Sequence, residues 1–194
     1  MHGLRSDSRK IEALARGCAI CHRMLRRLST QDVFIYRELR LHALQESPTA
    51  FGSSYEEESL RSAETFAAGI QNPHDPAAAV FAVLGEGAGA PLLGMLGFGR
   101  ENRLKRAHSG YLWGMYVLPE YRRKGLGAAL LDAVLAHVRT LRDIRQVTLG
   151  VTASNEGASA LYKSRGFVRY GLEPDYLCIS GGYHAMEHLI LMLE

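Results

Sequence analysis

Residues 112–131 read LWGMYVLPEYRRKGLGAALL, which predicts an apolar strand, a basic glycine-rich turn and the first turn of a helix. A helix N-terminus presents backbone N–H groups that lack intrahelical partners, together with the positive end of the helix dipole. Gly125 and Gly127 allow a phosphate to approach those groups closely. This stretch therefore predicts a binding site for a phosphorylated ligand.

Two common phosphate-binding patterns do not fit this turn. A Walker loop requires Gly-x-x-x-x-Gly-Lys-Ser/Thr, and neither that spacing nor the closing pair is present. A Rossmann fingerprint places a third glycine at the position of Leu130, and the next strand ends in Gly150–Thr152 without an acid for a ribose hydroxyl. What remains is Arg-x-x-Gly-x-Gly directly after a strand, with the backbone amides of residues 123–128 available to a pyrophosphate.

Two motifs resemble those of the GNAT superfamily, the acetyl-CoA-dependent N-acetyltransferases. The first is RRKGLG at residues 122–127, and the second is NEGASALYKSRGF at residues 155–167. Two independent motifs in the right order are far more specific than either alone. The resemblance covers about residues 24–194, which implies one acetyltransferase domain there and leaves residues 1–23 as an N-terminal extension.

The resemblance implies an α/β fold of the α+β type, with a mixed, mostly antiparallel sheet of about six to seven strands. Helices are expected on both faces, and a central parallel pair of strands is expected to splay apart. The residue pattern predicts an edge strand at 24–28, a hairpin at 79–100, strands at 147–151, 167–170 and 188–193, and a long loop at 171–182.

The pattern also predicts the helices. A first helix is expected from Ser29 or Thr30 to about Gln45, with Phe34, Leu41 and Leu44 near one face. A second is expected from about Ser53 to Gly69, and later helices at 126–141 and 155–165.

The resemblance also implies the cofactor, acetyl-CoA, with coenzyme A as the product. The backbone of Met115 and Val117 is expected to contact the acetyl and pantetheine groups, and Asn155 and Tyr162 are expected to complete the site. The residues expected to hold the pyrophosphate are Arg122, Arg123, Lys124, Gly125, Leu126, Gly127 and Ala128.

The implied reaction is direct attack of a neutral amine on the thioester, through a tetrahedral intermediate. Tyr162 is the candidate general acid, because a phenol with a pKa near 10 is protonated at neutral pH. No Asp or Glu occurs from Ser109 to Leu118, where many relatives carry a glutamate base. Glu101 or His108 is the candidate base, and proton loss to bulk water is equally tenable. The alternative function is a regulatory module that binds acyl-CoA without turnover.

The expected acceptor is a primary amine of a small molecule or peptide. Glu56, Glu57 and Glu58 are suited to attract a cationic amine, although a helix capping box accounts for two of them. The aromatic residues expected to line the acceptor pocket or to pack beside it are Phe51, Tyr55, Tyr176 and Tyr183.

Composition excludes several function classes. The net charge of +3 is too small to indicate a nucleic-acid partner, and no apolar run is long enough to cross a membrane. Three sparse cysteines favour a reducing compartment, so we expect a cytoplasmic protein. Residues 18–22, CAICH, match a haem-attachment pattern by chance, and no metal is expected. The closing strands suit a homodimer.

Overall fold

The computed structural model describes residues 24–72, 74–87 and 89–193. Within these residues the strands form one seven-stranded sheet in the order β1-β2-β3-β4-β5-β7-β6. The strands are β1 Leu25–Arg27, β2 Ala79–Leu84, β3 Leu92–Arg100, β4 Ser109–Val117, β5 Gln146–Thr152, β6 Val168–Ile179 and β7 Gly182–Met192. The α-helices are α1 Val33–Glu46, α2 Tyr55–Ser59, α3 Ala63–Ile70, α4 Leu126–Thr140 and α5 Glu156–Lys163. The extension at residues 1–23 lies outside the described residues.

The central parallel pair splays, as the family resemblance implies. β4 and β5 pair only where Ser109–Tyr111 lies against Gln146–Thr148, although both strands continue beyond that point. β4 then carries a bulge, because Gly114 adopts a left-handed φ of 68° and the register against β3 shifts there. The two strands are therefore separated at their carboxyl ends, which opens a cleft between them.

Helices cover both faces of the sheet, which confirms the predicted layers. α4 packs with α5 on one face, where Leu130 and Val134 are fully buried against the sheet. α1 and α3 pack on the other face through residues such as Leu39 and Phe66. Burial of these apolar faces is the main favourable term in folding.

Two helix predictions were wrong. The predicted helix from Ser53 to Gly69 is divided into α2 and α3, because the Ser62 side chain caps a new helix by accepting the Thr65 N–H. Phe34 does not share the buried face of α1, since 73% of it is exposed. The buried face of α1 instead includes Arg40, a residue that a hydrophobic pattern does not select.

The predicted loop at 171–182 was also wrong, because β6 and β7 form a long hairpin there. Ser180 and Gly181 connect the strands with φ values of 50° and 80°, as in a tight hairpin turn with left-handed residues. A register shift between Glu173 and Leu177 accommodates Pro174 and Asp175 inside β6. Pro174 and Asp175 favour turns, so the sequence indicated a loop where the structure has a bulged strand.

Candidate active site

A cleft of about 520 Å³ lies at the carboxyl ends of β4 and β5, between α4 and α5. Its lining includes eight of the residues predicted to bind the cofactor, namely Met115, Val117, Arg122, Arg123, Gly125, Gly127, Ala128 and Asn155. Lys124, Leu126 and Tyr162 are the predicted residues that do not line it. The structure thus brings together two sequence motifs that are about 30 residues apart.

The loop that ends β4 forms an anion cradle. Arg123 and Gly125 both have left-handed φ values, 62° and 85°, which turn successive backbone N–H groups to the same side. The first bond of α4 runs from the Ala129 N–H to the Gly125 carbonyl at 3.0 Å. The N–H groups of residues 126–128 precede that bond and have no intrahelical acceptor. They are suited to a pyrophosphate.

The Arg122 side chain lines the cleft and supports the loop that follows β4. Its Nε donates to the Val117 carbonyl at 2.9 Å, and its Nη2 donates to Glu46 at 2.6 Å. The guanidinium carbon lies 5.4 Å from the centre of the Tyr116 ring. Arg122 therefore connects the phosphate loop to the end of α1, and its side chain is already engaged by protein groups.

Sequence reasoning missed Glu46, the partner of Arg122. Burial alone raises the pKa of Glu46, but hydrogen bonds from Arg122 and Ser47 leave that pKa below its usual value. Burial, followed by the nearby Glu46 charge, raises the pKa of Tyr116 to about 12. No motif surrounds Glu46, so the sequence carries no signal for this contact.

Lys124 and Leu126, two further residues predicted to bind the pyrophosphate, have different surroundings. The Lys124 ammonium lies 5.0 Å from the centre of the Tyr121 ring. The Leu126 side chain is 1% exposed and packs in the core. Only the backbone N–H of Leu126 is therefore suited to contact an anion at this helix N-terminus.

Asn155 and Tyr162 occupy α5, on the β5 side of the cleft. The Asn155 Oδ1 accepts the Ala158 N–H at 3.2 Å, so Asn155 caps the helix and also lines the cleft. Tyr162 is 5% exposed and packs edge-on against Phe167. Leu161, its neighbour in sequence, lines the cleft, whereas the Tyr162 side chain does not and packs in the core.

The Tyr162 phenol is protonated in this setting. Burial raises its pKa above the ordinary value of 10.0. Among the described residues its hydroxyl has no hydrogen-bond partner, so the proton is not committed to a protein acceptor. At neutral pH the phenol therefore carries a proton that it can donate.

The two candidate bases lie at the opposite end of β4 from the cradle. Glu101 pairs with Arg106 at 3.1 Å, and His108 is exposed immediately before β4. The six residue steps from Ser109 to Met115 span about 20 Å of extended strand. A role for either residue therefore requires water between it and the amine.

The acidic residues near α2 are engaged within the protein. Ser54 and Glu57 form a reciprocal capping box, with N···O distances of 2.9 and 3.2 Å. Glu58 is buried against Arg40, whereas Glu56 is exposed. Burial alone raises the pKa of Glu58, but hydrogen bonds from Arg40 and Ser53 leave that pKa below its usual value.

The predicted aromatic residues lie in two places. Phe51 is buried beside Tyr116, with ring centroids 6.3 Å apart, and Tyr55 begins α2 nearby. Tyr176 and Tyr183 lie on the β6–β7 hairpin and are 44% and 66% exposed. The structure therefore does not bring these four side chains together.

The remaining sequence features concern metals and membranes. Cys18, Cys21 and His22 lie outside the described residues. In the described part of the chain, no cluster of three metal-ligating side chains occurs. No helix there is long and apolar enough to span a bilayer.

A mixed sheet whose central parallel pair splays in front of a helix N-terminus defines the fold class of this α/β protein. The model of the acetyltransferase (GNAT) family matches residues 40–167, which is more than half of the chain. The chain therefore belongs to that family.

Relatives of known name are similar over part of the chain. A mycothiol acetyltransferase from Salinispora tropica is 38% identical over 85 residues, which is 42% of this chain and 28% of the relative. The [ribosomal protein bS18]-alanine N-acetyltransferase of Escherichia coli K12 is 37% identical over 71 residues, which is 37% of this chain and 47% of the relative. The chain thus spans less than half the length of these relatives.

Solved structures share the fold over most of the chain. A ribosomal-protein-alanine N-acetyltransferase from Brucella melitensis has a TM-score of 0.72 at 20% identity, covering 88% of this chain and 99% of the other. The protein yncA of Salmonella typhimurium, solved with its cofactor acetyl-CoA, has a TM-score of 0.70 at 18% identity, covering 88% and 93%. These likenesses confirm the fold.

Proposed function

We propose that the protein is an acetyl-CoA-dependent N-acetyltransferase. The observation that supports this most directly is the cleft, in which eight of the residues predicted to bind the cofactor line the space between β4, β5 and the cradle. The cofactor found in the Salmonella typhimurium neighbour is acetyl-CoA, which has a pyrophosphate to match the cradle. Bound acetyl-CoA would supply an activated acetyl thioester.

The residues of the cleft suit the parts of such a ligand. The N–H groups of residues 126–128 would hold the pyrophosphate at the start of α4. Beyond Tyr111 the edge of β4 that faces β5 has no strand partner within the described residues. The backbone around Met115 and Val117 is therefore open to the amide groups of a pantetheine arm, in the manner of an added strand.

In the proposed reaction the amine attacks the thioester carbonyl directly and forms a tetrahedral intermediate. Tyr162 would then donate its proton to the departing sulfur. Tyr162 follows Leu161, a residue of the cleft lining, on α5, so we expect its hydroxyl to approach the sulfur from the α5 side of the cleft. No acidic side chain on β4 itself is available for the second proton transfer.

We propose that the amine loses its proton to solvent, directly or through waters that reach Glu101 or His108. A general base acts within hydrogen-bond reach or through one water, and the 20 Å estimated above exceeds that reach. We therefore expect Glu101→Gln and His108→Gln each to lower kcat by less than about tenfold. Steady-state assays at saturating acetyl-CoA would measure this, and a hundredfold loss in either variant would instead assign the base.

The acceptor is proposed to be a primary amine of a small molecule or peptide. The relatives support this breadth, since they include a mycothiol acetyltransferase and a ribosomal-protein alanine N-acetyltransferase. The absence of an acidic residue on β4 keeps the alternative function open, namely a module that binds acyl-CoA without turnover.

We also propose a cytoplasmic location, because the exposed Cys178 suits a reducing compartment.

Two assays test the proposal. In thermal denaturation, acetyl-CoA and coenzyme A should raise the midpoint, whereas ATP and NAD should not. In a thiol-release assay with acetyl-CoA and a panel of primary amines, free coenzyme A should appear only when an amine is present. Binding without thiol release for any amine would favour the regulatory module, and equal protection by ATP or NAD would contradict the cofactor.

We further propose that two copies associate through β6. The sheet order leaves β6 at an edge, and Val168, Tyr170 and Leu172 are 64%, 61% and 53% exposed. An exposed apolar edge strand is a template for pairing with a second copy. Light scattering should give the mass of a dimer, and Leu172→Lys should shift it to a monomer. A monomer mass for the protein with its natural sequence would contradict this proposal.

A further inference from the structure

We propose that a second cavity, on the α1 side of β4, binds the carboxylate of the acceptor, so that the enzyme acetylates free amino acids. This inference rests on the proposed N-acetyltransferase function. The cavity has a volume of about 170 Å³ and lies between α1, the α2–α3 segment and β4. The walls that matter here are Tyr36, Arg40, Glu58, Arg61, Phe66 and Trp113.

Arg40, which lines this cavity, carries a donor without a hydrogen-bond partner next to the β4 bulge. Its side chain is 8% exposed, and its Nε and Nη2 donate to the two oxygens of Glu58 at 3.0 and 2.7 Å. Nη2 also donates to the Ser53 hydroxyl at 3.0 Å. Nη1 is buried and has no partner among the described residues. A buried charged donor is normally satisfied by a protein group, a water or a ligand.

The charges that line the cavity leave an excess of one positive charge. Glu58 is shared between Arg40 and Arg61, whose Nη1 lies 3.4 Å from the same carboxylate. Two guanidinium groups therefore face one carboxylate. An anion that entered the cavity would restore neutrality, and the planar guanidinium is well matched to a carboxylate.

The apolar walls distinguish a carboxylate from a phosphate. Tyr36 and Phe66 pack edge-on with centroids 6.2 Å apart, and the Trp113 ring lies against Gly97, where a side chain would clash with it. A small cavity with one excess charge and aromatic walls suits a monoanion attached to an apolar group. A phosphate dianion would leave uncompensated charge beside these rings.

The cavity adjoins the cofactor cleft through the bulge of β4. A Cβ on Gly114 would lie 3.6 Å from Arg40 Nη1, so the unused donor is next to the bulge. The next residue, Met115, lines the cofactor cleft. A ligand that reached from Arg40 to the acetyl group would therefore have its carboxylate and amine only a few bonds apart, as an amino acid does.

Product analogues test this without the complication of amine ionisation. In calorimetry with coenzyme A-saturated protein, the probes are the N-acetyl derivatives of leucine, methionine and phenylalanine and the corresponding N-acetyl amides. We expect at least one acid to bind about tenfold more tightly than its amide. Arg61→Gln should remove most of that difference and leave amide binding unchanged. Arg139→Gln, the same substitution at an exposed position of α4, should leave both affinities unchanged.

Arg40→Lys retains the positive charge but loses the planar guanidinium that can donate two parallel hydrogen bonds to a carboxylate. This variant should also reduce the preference for the acid. Should this variant fail to fold, the exposed Arg61 still decides the question. Equal binding of acids and amides, no binding of any acid, or an undiminished preference in Arg61→Gln would overturn the proposal. A failure of thiol release with all amines would contradict the acetyltransferase function instead, because the calorimetric preference does not depend on turnover.

Discussion

Gly127→Glu is expected to abolish acetyl-CoA binding without destabilising the protein. Gly127 lies in the first turn of α4 and lines the cleft, so the glutamate side chain would occupy the cradle and place a negative charge beside the pyrophosphate. Like charges in such contact cost several kcal/mol, which corresponds to a loss of affinity of at least about a hundredfold.

The same substitution should stabilise the unliganded helix. Replacing glycine in a helix, with an acidic residue at the positive end of the dipole, is worth about 0.5–1 kcal/mol. Binding and stability are therefore expected to change in opposite directions, which calorimetry and chemical denaturation would measure separately. Misfolding would lower both.

Gly127→Ala is the matched control. A Cβ at this position would lie 3.4 Å from Leu161 Cδ2, which is ordinary van der Waals contact. Alanine adds neither a charge nor a side chain long enough to fill the cleft, so its affinity for acetyl-CoA should stay within about threefold of the natural value. Normal binding by Gly127→Glu would contradict the position assigned to the pyrophosphate.

Tyr162→Phe is expected to lower kcat by about 10²–10⁴-fold, the range of a positioned proton donor. The hydroxyl has no hydrogen-bond partner among the described residues, and the ring contact with Phe167 survives the change. The free energy of unfolding should therefore change by less than about 1 kcal/mol. The KM for acetyl-CoA should change little, because phenylalanine keeps the ring packing against Phe167.

The pH profile gives a second test of Tyr162. Because burial raises the pKa of this phenol above 10.0, the group stays protonated throughout the neutral and mildly basic range. The rate of the natural enzyme should show no loss attributable to Tyr162 below about pH 10. Tyr183→Phe, the same change at a residue that is 66% exposed, is the control. Full activity in Tyr162→Phe would leave Tyr162 as a packing residue.

The parts of the site that the sequence predicted are local in the chain. The cradle depends on a strand, a left-handed Gly125 and a helix start within about ten residues, and the Asn155 cap depends on an acceptor three residues away. Spacing alone was therefore enough to indicate both. The splayed pair of strands followed from the family that these motifs resemble.

The parts that the sequence did not predict depend on contacts between distant residues. Glu46 and Arg122 are 76 positions apart, and Arg40 and Glu58 are 18 apart on separate helices. Nothing in the composition of α1 indicates that Arg40 is buried or that Glu46 pairs with Arg122. The β6–β7 hairpin was missed for a different reason, because Pro174 and Asp175 favour turns wherever they occur.

Helix α1 extends from one half of the reaction site to the other. Arg40 near its middle reaches the β4 bulge, and Glu46 at its end holds the arginine of the phosphate loop. Helix α1 would therefore support both proposed sites, the one for acetyl-CoA and the one for the acceptor carboxylate. Enlarging a buried α1 residue that touches neither ligand, such as Ala43, should shift the KM values for acetyl-CoA and amine together.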